Sequence, residues 1–271
     1  MRTPEGPGLL SVGPEQASSD EVLAQAWGAG AQWLIEQVPA LLGAEDEADF
    51  HPEHPLLAAA LHHHPNFRVG RTDRVLEAFV PACLEQRVTG SEAYGAFAAL
   101  VRTHGVRAPG PAGQPGHPAA GMMVPPDPDG WLAIPGWEYL GAGVEQARVR
   151  PLQAGAARTG ALERTLTGTV DPDRALRSLP GVGEWTSAEV RQRAHGDADA
   201  WSRGDYHIGG MITLALTGEK LDDDACDELL APFAGHRYRV QMLIAMTVGL
   251  PERHGPRRSL PTHLPLRRRR R

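Results

Sequence analysis

The residue in this chain best placed to do chemistry is Asp205, which stands just ahead of an apolar helical stretch. A carboxylate there meets the positive end of the helix dipole, which favours its ionised form. It could act as a fixed anion beside a centre that becomes positive, or simply as an N-cap, a position aspartate prefers. About twenty residues upstream lies Leu179-Pro180-Gly181-Val182-Gly183. Proline ends one helix, and the glycines allow a tight turn with no side chain above it. The N–H groups of Gly181, Val182, Gly183 and Glu184 then open the next helix, an arrangement that receives a phosphate. Trp185 and Tyr206 offer flat surfaces on which a planar ring can stack, or else anchor the core. Other chemistries lack their residues. Cys83 and Cys226 stand alone, so no cysteine metal site is expected, and both read as reduced core thiols. His62-His63-His64 are consecutive, point in different directions on a helix, and read as surface histidines. The sole lysine, Lys220, is far from the turn.

The elements that must hold these residues read as helices. An amphipathic helix is expected from Asp20 to Leu42, through Trp33, Leu34 and Val38, followed by an acidic loop. Val75, Leu76, Phe79, Val80, Cys83 and Leu84 recur at helical spacing, and that helix ends near Gln86-Arg87. The next runs from Glu92 to Arg102. Residues 108–130 are dense in proline and glycine and read as a linker. Short helices are expected at 131–133, 137–142 and 145–162. Asp171-Pro172 starts the first hairpin helix, with aspartate as N-cap and proline in the first turn. The second hairpin helix spans Glu184 to about Arg193. Beyond Asp205, a helix to Thr217 and two more, 222–233 and 237–249, complete the set. No strand pair is expected after residue 20. The expected architecture is all-α and two-lobed, in five parts: an irregular N-terminal remnant (1–19), read as a flexible arm or a strand fragment, a first helical part (20–107), the linker (108–130), a hairpin part (131–250) and a basic tail (251–271).

Charge constrains partners. The net charge is −6, and residues 251–271 carry eight arginines and one glutamate, a charge of +7, which leaves −13 for the rest. A protein that coats nucleic acid by electrostatics alone is excluded by that balance. The five terminal arginines read either as loose phosphate affinity or as a solvated tail. The longest apolar run, Met242 to Leu250, is too short to cross a bilayer, and no charged-then-apolar leader opens the chain. A monomeric cytoplasmic protein without membrane contact is expected.

Leu-Pro-Gly-Val-Gly, then Trp185-Thr186, then Asp205-Tyr206 at the next helix start, resembles the helix-hairpin-helix DNA glycosylases. Within them the chain is most similar to the 3-methyladenine DNA glycosylase II branch, and Leu84-Glu85-Gln86-Arg87-Val88-Thr89-Gly90 supports the match. The resemblance covers roughly residues 50 to 250. It implies a monofunctional enzyme of base-excision repair that binds damaged double-stranded DNA, flips a base out and hydrolyses its glycosidic bond. Asp205 would stabilise the oxocarbenium-like sugar. Gly181, Val182, Gly183, Glu184 and Thr186 would hold the DNA strand. Gln86 or Arg87 would enter the duplex as a wedge, or else the two form a plain polar turn. Trp185, Tyr206 and Glu189 would line the base pocket. No cofactor is implied beyond a monovalent cation on the hairpin carbonyls. Members that cleave the strand carry a lysine where Trp185 stands, so no lyase activity is expected. The chain departs from the pattern late in its last helix, where relatives place a stacking tryptophan and this sequence has Ala245 or Met246. That departure sustains the rival reading, a DNA-binding protein of this fold with weak or no catalysis. A third reading, an α-helical scaffold with no DNA role, requires the hairpin and Asp205 to coincide by chance.

Overall fold

The computed structural model describes residues 1–14, 21–47 and 49–249. The basic tail and Asp20 lie outside the described residues.

The chain opens with strands, which fits a β remnant and not a flexible arm at the N-terminus, and corrects the helix expected from residue 20. Strands β1 (Arg2–Thr3), β2 (Gly6–Pro14) and β3 (Val22–Gly28) form an antiparallel sheet in that order. β2 and β3 pair over seven residues, from Gly8 with Gly28 to Pro14 with Val22. The apolar spacing of Val22, Ala26 and Trp33 fits a helix on paper. Pairing with a distant strand overrides that local pattern, as it often does for β-forming segments. Only the second half of the expected segment is helical, as α1 (Ala31–Leu41).

Helices α2 (Pro55–His63), α3 (Val75–Glu85) and α4 (Gly90–His104) follow. Thr89 opens α4 with a capping box: its hydroxyl accepts from Glu92 N–H, and the Glu92 carboxylate accepts from Thr89 N–H. This satisfies two N–H donors at the helix start. Residues 108–130 are packed rather than a loose connector. Val106–Arg107 (β4) pairs with Met123–Val124 (β5), and Ala108, Ala112 and Val124 form a small core against Leu9. Then come α5 (Pro128–Ala133), α6 (Gly136–Gly141), α7 (Gln146–Ala156), α8 (Thr159–Glu163), α9 (Pro172–Arg177) and α10 (Glu184–Val190). α10 passes into one π turn, Arg191–His195, which ends on left-handed Gly196. The last helices are α11 (Ile208–Thr217), α12 (Asp223–Leu230) and α13 (Arg237–Val248).

Two apolar cores make the two lobes. One joins α3–α10 and the hairpin, around Phe79, Leu84, Trp131, Tyr139, Leu152 and Leu176. The other joins Phe50 and α2 to Trp201 and α11–α13. The lobes therefore do not follow the 20–107 and 131–250 division. α2 crosses to the C-terminal helices because its buried Leu57 and Ala60 find their apolar surface there. A buried ion pair tightens the second lobe: Arg239 on α13 reaches Asp46 at 2.5 Å, and Asp46 also accepts from Val69 N–H at 2.8 Å. Cys83 and Cys226 are free and buried, as expected. His62 and His63 are exposed.

Candidate active site at the lobe junction

The hairpin packs on the first core through Leu176, Leu179 and Val182, and Asp205 lies where the chain enters α11 of the second. Pro172 in the first turn of α9, with Asp171 accepting from Asp173 and Arg174 N–H, starts the hairpin. Leu179 and Val182 are buried and pin it to the first core. Gly181 adopts φ +82°, a left-handed conformation that a side chain resists. Gly183 is extended, with φ −100°, and a Cβ there would meet no atom within 4 Å. The need for glycine is thus conformational at Gly181 and one of clear outer space at Gly183. Val182 N–H donates to Leu179 O at 3.2 Å inside the turn. The Gly181 and Gly183 N–H groups take no partner among the described residues. Glu184 is exposed and ion-paired with Arg177 and Arg203. Gly181 O accepts from Gln86 and Leu179 O from Val182 N–H, so each of these two hairpin carbonyls takes one hydrogen bond.

Gln86, expected to touch DNA, is turned into the protein. Its amide donates to Gly181 O at 3.0 Å and to Thr186 Oγ1 at 2.9 Å. Thr186 is buried, so its hydroxyl also faces inward. Arg87 is different: it is exposed and holds φ +56°, one of two non-glycine residues with positive φ among the described residues. The turn is braced to the hairpin by Gln86 and presents Arg87 outward.

Asp205 is met by donors on both oxygens. Oδ1 accepts from His207 N–H at 2.8 Å and Ile208 N–H at 3.1 Å, and Oδ2 accepts from Trp185 Nε1 at 3.2 Å. The capping and chemical readings coincide here: the contacts that close the start of α11 also fix the carboxylate. Trp185 is half-buried, and its ring is committed to orienting Asp205. Tyr206 is 81% exposed and packs edge-on against His207, so it is free to meet a ligand but walls no closed pocket.

Glu189 neither faces solvent nor stands as an unpaired anion. It is buried, its Oε2 accepts from Arg193 Nη1 at 2.5 Å, and its Oε1 accepts from Ser202 Oγ at 2.6 Å. Gln192 and Gln241 complete that network through Ser202. Arg193 also reaches Glu85, the last residue of α3, at 4.0 Å. Burial pushes the Glu85 carboxyl above its usual range, Arg193 opposes this, and the charges of Glu189 and Asp205 add to it. Glu85 and Arg193 were not singled out from the sequence. The available signals were that Glu85 directly precedes Gln86-Arg87 and that Arg193 lies four residues after Glu189. Beyond Arg193 a cavity of about 450 Å³ opens between the lobes, lined by Phe67, Arg71, Thr72, Glu77, Arg193 and Tyr238. Ala245 is half-buried and Met246 exposed, so no aromatic face stands at that part of α13.

Two helical lobes joined at a braced hairpin are a fold also seen in solved DNA glycosylases. The 3-methyladenine DNA glycosylase of Archaeoglobus fulgidus shares it, with a TM-score of 0.68 over 92% of this chain and 85% of that one, at 15% identity. The Clostridium acetobutylicum 8-oxoguanine glycosylase/lyase, solved with double-stranded DNA containing cytosine opposite 8-oxoguanine, gives 0.61 over 90% and 85%, at 11% identity. The Schizosaccharomyces pombe 3-methyladenine DNA glycosylase, solved with abasic DNA, gives 0.52 over 84% and 95%, at 12% identity. No family model and no curated protein matches the sequence. Among the described residues no helix is long and apolar enough to cross a membrane.

Proposed function

We propose that this protein is a monofunctional DNA glycosylase that removes alkylated bases such as 3-methyladenine from double-stranded DNA. The observation that carries the reading is Asp205 held by three N–H donors within one lobe-spanning site with the hairpin. Breaking an N-glycosidic bond builds positive charge on the sugar, and a preorganised carboxylate lowers that barrier. An alkylated purine is already cationic and departs without strong acid catalysis, so Asp205 suffices. The N–H groups of Gly181 and Gly183 grip a phosphate, and Arg87 fills the gap left by the flipped base. Trp185 stands where a Schiff-base lysine is needed, which supports hydrolysis without strand cleavage. The parts of this reading are the hairpin as DNA grip, Arg87 as wedge, and the lobe junction as base site.

The rival is a DNA-binding protein of the same fold with little catalysis. Ala245 and Met246, in place of a stacking aromatic, favour it. Mass spectrometry of bases released from methylated DNA separates the two. The glycosylase reading expects free 3-methyladenine or 7-methylguanine from the native protein and little from Asp205→Asn. DNA binding with no released base leaves the rival standing.

A further inference from the structure

Arg203, two residues before Asp205, joins three parts of the chain through one guanidinium group. Its Nε meets Glu184 Oε2 on α10 at 3.2 Å. Its Nη1 meets Asp227 Oδ2 and its Nη2 meets Asp224 Oδ1, both on α12 and both at 2.6 Å. Glu184 opens the helix that leaves the hairpin, and the hairpin packs on the first core. α12 packs in the second core through Cys226 and Leu230. Arg203 therefore spans the two lobes beside the site. The next residue of α10 makes a parallel contact, because Trp185 Nε1 donates to Asp205 Oδ2 at 3.2 Å. Consecutive residues of α10 thus hold Arg203 and Asp205, on either side of Gly204.

Both ends of this tie are themselves fixed. Asp227 Oδ1 accepts from the indole N–H of Trp201 at 3.1 Å, and Trp201 is buried in the second core. On the other side, Arg177 meets Glu184 Oε1 and Asp173 Oδ2, each at 3.3 Å. The chain between Arg203 and Asp205 is held as well. Gly204 N–H donates to Asp223 Oδ2 at 3.0 Å, and Asp205 N–H donates to Ser202 O at 3.1 Å. Gly204 holds φ +86°, a conformation that a side chain resists.

We infer that Arg203 is a positioning residue for base release: it sets the distance between the phosphate grip of the hairpin and the Asp205 carboxylate. The inference rests on the glycosylase reading. Exposed ion pairs contribute little to stability, so the use of this one is geometric. A planar fork that meets three carboxylates fixes direction in a way a flexible ammonium does not. Without Arg203, the Glu184, Asp224 and Asp227 carboxylates lose their shared cation, and like charges push α10 and α12 apart at this point. Asp205 follows the segment that carries it, and a misplacement of about 1 Å costs up to about a hundredfold in rate.

The test is single-turnover base release from methylated duplex DNA at saturating protein, with a binding isotherm and an unfolding midpoint for each variant. Arg203→Met should slow release from bound DNA by about tenfold or more, with the affinity for DNA close to native. Arg203→Lys keeps the charge without the fork, so its rate should fall between the two. Glu184→Ala cuts the tie at its first-lobe end and should also slow release. Added to Arg203→Met it should slow release no further, because both changes remove one contact. A native rate in Arg203→Met overturns the role of Arg203. So does weakened binding with native release from the bound state, which makes Arg203 a DNA contact instead. Multiplying effects of the two substitutions overturn it too. Where Arg203→Met folds poorly, native rates in both Arg203→Lys and Glu184→Ala overturn it. Release of no base by the native protein overturns the glycosylase reading itself.

Discussion

At the scale of single residues, function rests on which atoms meet Asp205. Asparagine keeps the size and caps a helix as well as aspartate, so Asp205→Asn should hardly change stability. It removes the negative charge beside the sugar, and loss of one such preorganised group slows catalysis by about a hundredfold or more. Single-turnover release of methylated bases, with a binding isotherm alongside, should show bound DNA and little product. Near-native release would remove Asp205 from the mechanism. Glycines at the hairpin separate in the same manner. Gly181→Val forces a branched side chain into φ +82°, at a cost of about 1–2 kcal/mol read by urea unfolding. Gly183→Val meets open space and should leave stability nearly intact, yet it should weaken DNA binding by covering the phosphate approach. Equal effects of the two on stability would contradict the backbone geometry.

At the scale of elements, the turn after α3 and the hairpin before α10 act as one unit because Gln86 spans them. Gln86→Ala removes two hydrogen bonds and leaves Gly181 O without its partner, which should destabilise the fold by about 1–2 kcal/mol. It should also loosen Arg87 relative to the hairpin. Base release should therefore fall more than DNA affinity, whereas Arg87→Ala should lower release without altering the unfolding midpoint. If Gln86→Ala binds DNA far more weakly and releases bases normally from the bound state, Gln86 touches DNA itself and the brace is secondary.

Across the whole molecule, two buried features set stability. Arg239 and Asp46 are both almost fully buried, 193 residues apart. Arg239→Met would strand the Asp46 carboxylate and should cost about 3–5 kcal/mol, while adding Asp46→Leu should restore much of that loss. Chemical denaturation of the single and double variants checks this. His195 is the second feature. It bonds Thr165 Oγ1 at 2.8 Å, its Nδ1 has no partner, and burial lowers its pKa from 6.5. The unfolded chain therefore takes up a proton on this residue before the folded one does. The stabilisation is complete above about pH 6.5 and is lost as pH falls from there through the lower folded value. Thermal midpoints should drop on acidification across that window, and His195→Leu should flatten the slope while lowering the plateau.

What the sequence determined by itself was local. Pro180 with Gly181 specifies a turn through backbone sterics, Asp171-Pro172 a helix start through capping, and Asp205 a helix entry by the same means, so the hairpin and its aspartate could be read from the chain alone. The helical spacing of α3 was legible for the same reason, because its buried face repeats within eleven residues. Tertiary structure decided whatever depended on a distant partner. Val22–Gly28 is a strand because β2 pairs with it, against its own helical spacing. Gln86 faces inward because Gly181 O and Thr186, about a hundred residues on, accept its amide. Glu189 is a buried, paired carboxylate only because Arg193 and Ser202 meet it inside the packed molecule. Side-chain charge is written in the sequence, but the burial and neighbours that decide what a charge does are properties of the packed molecule.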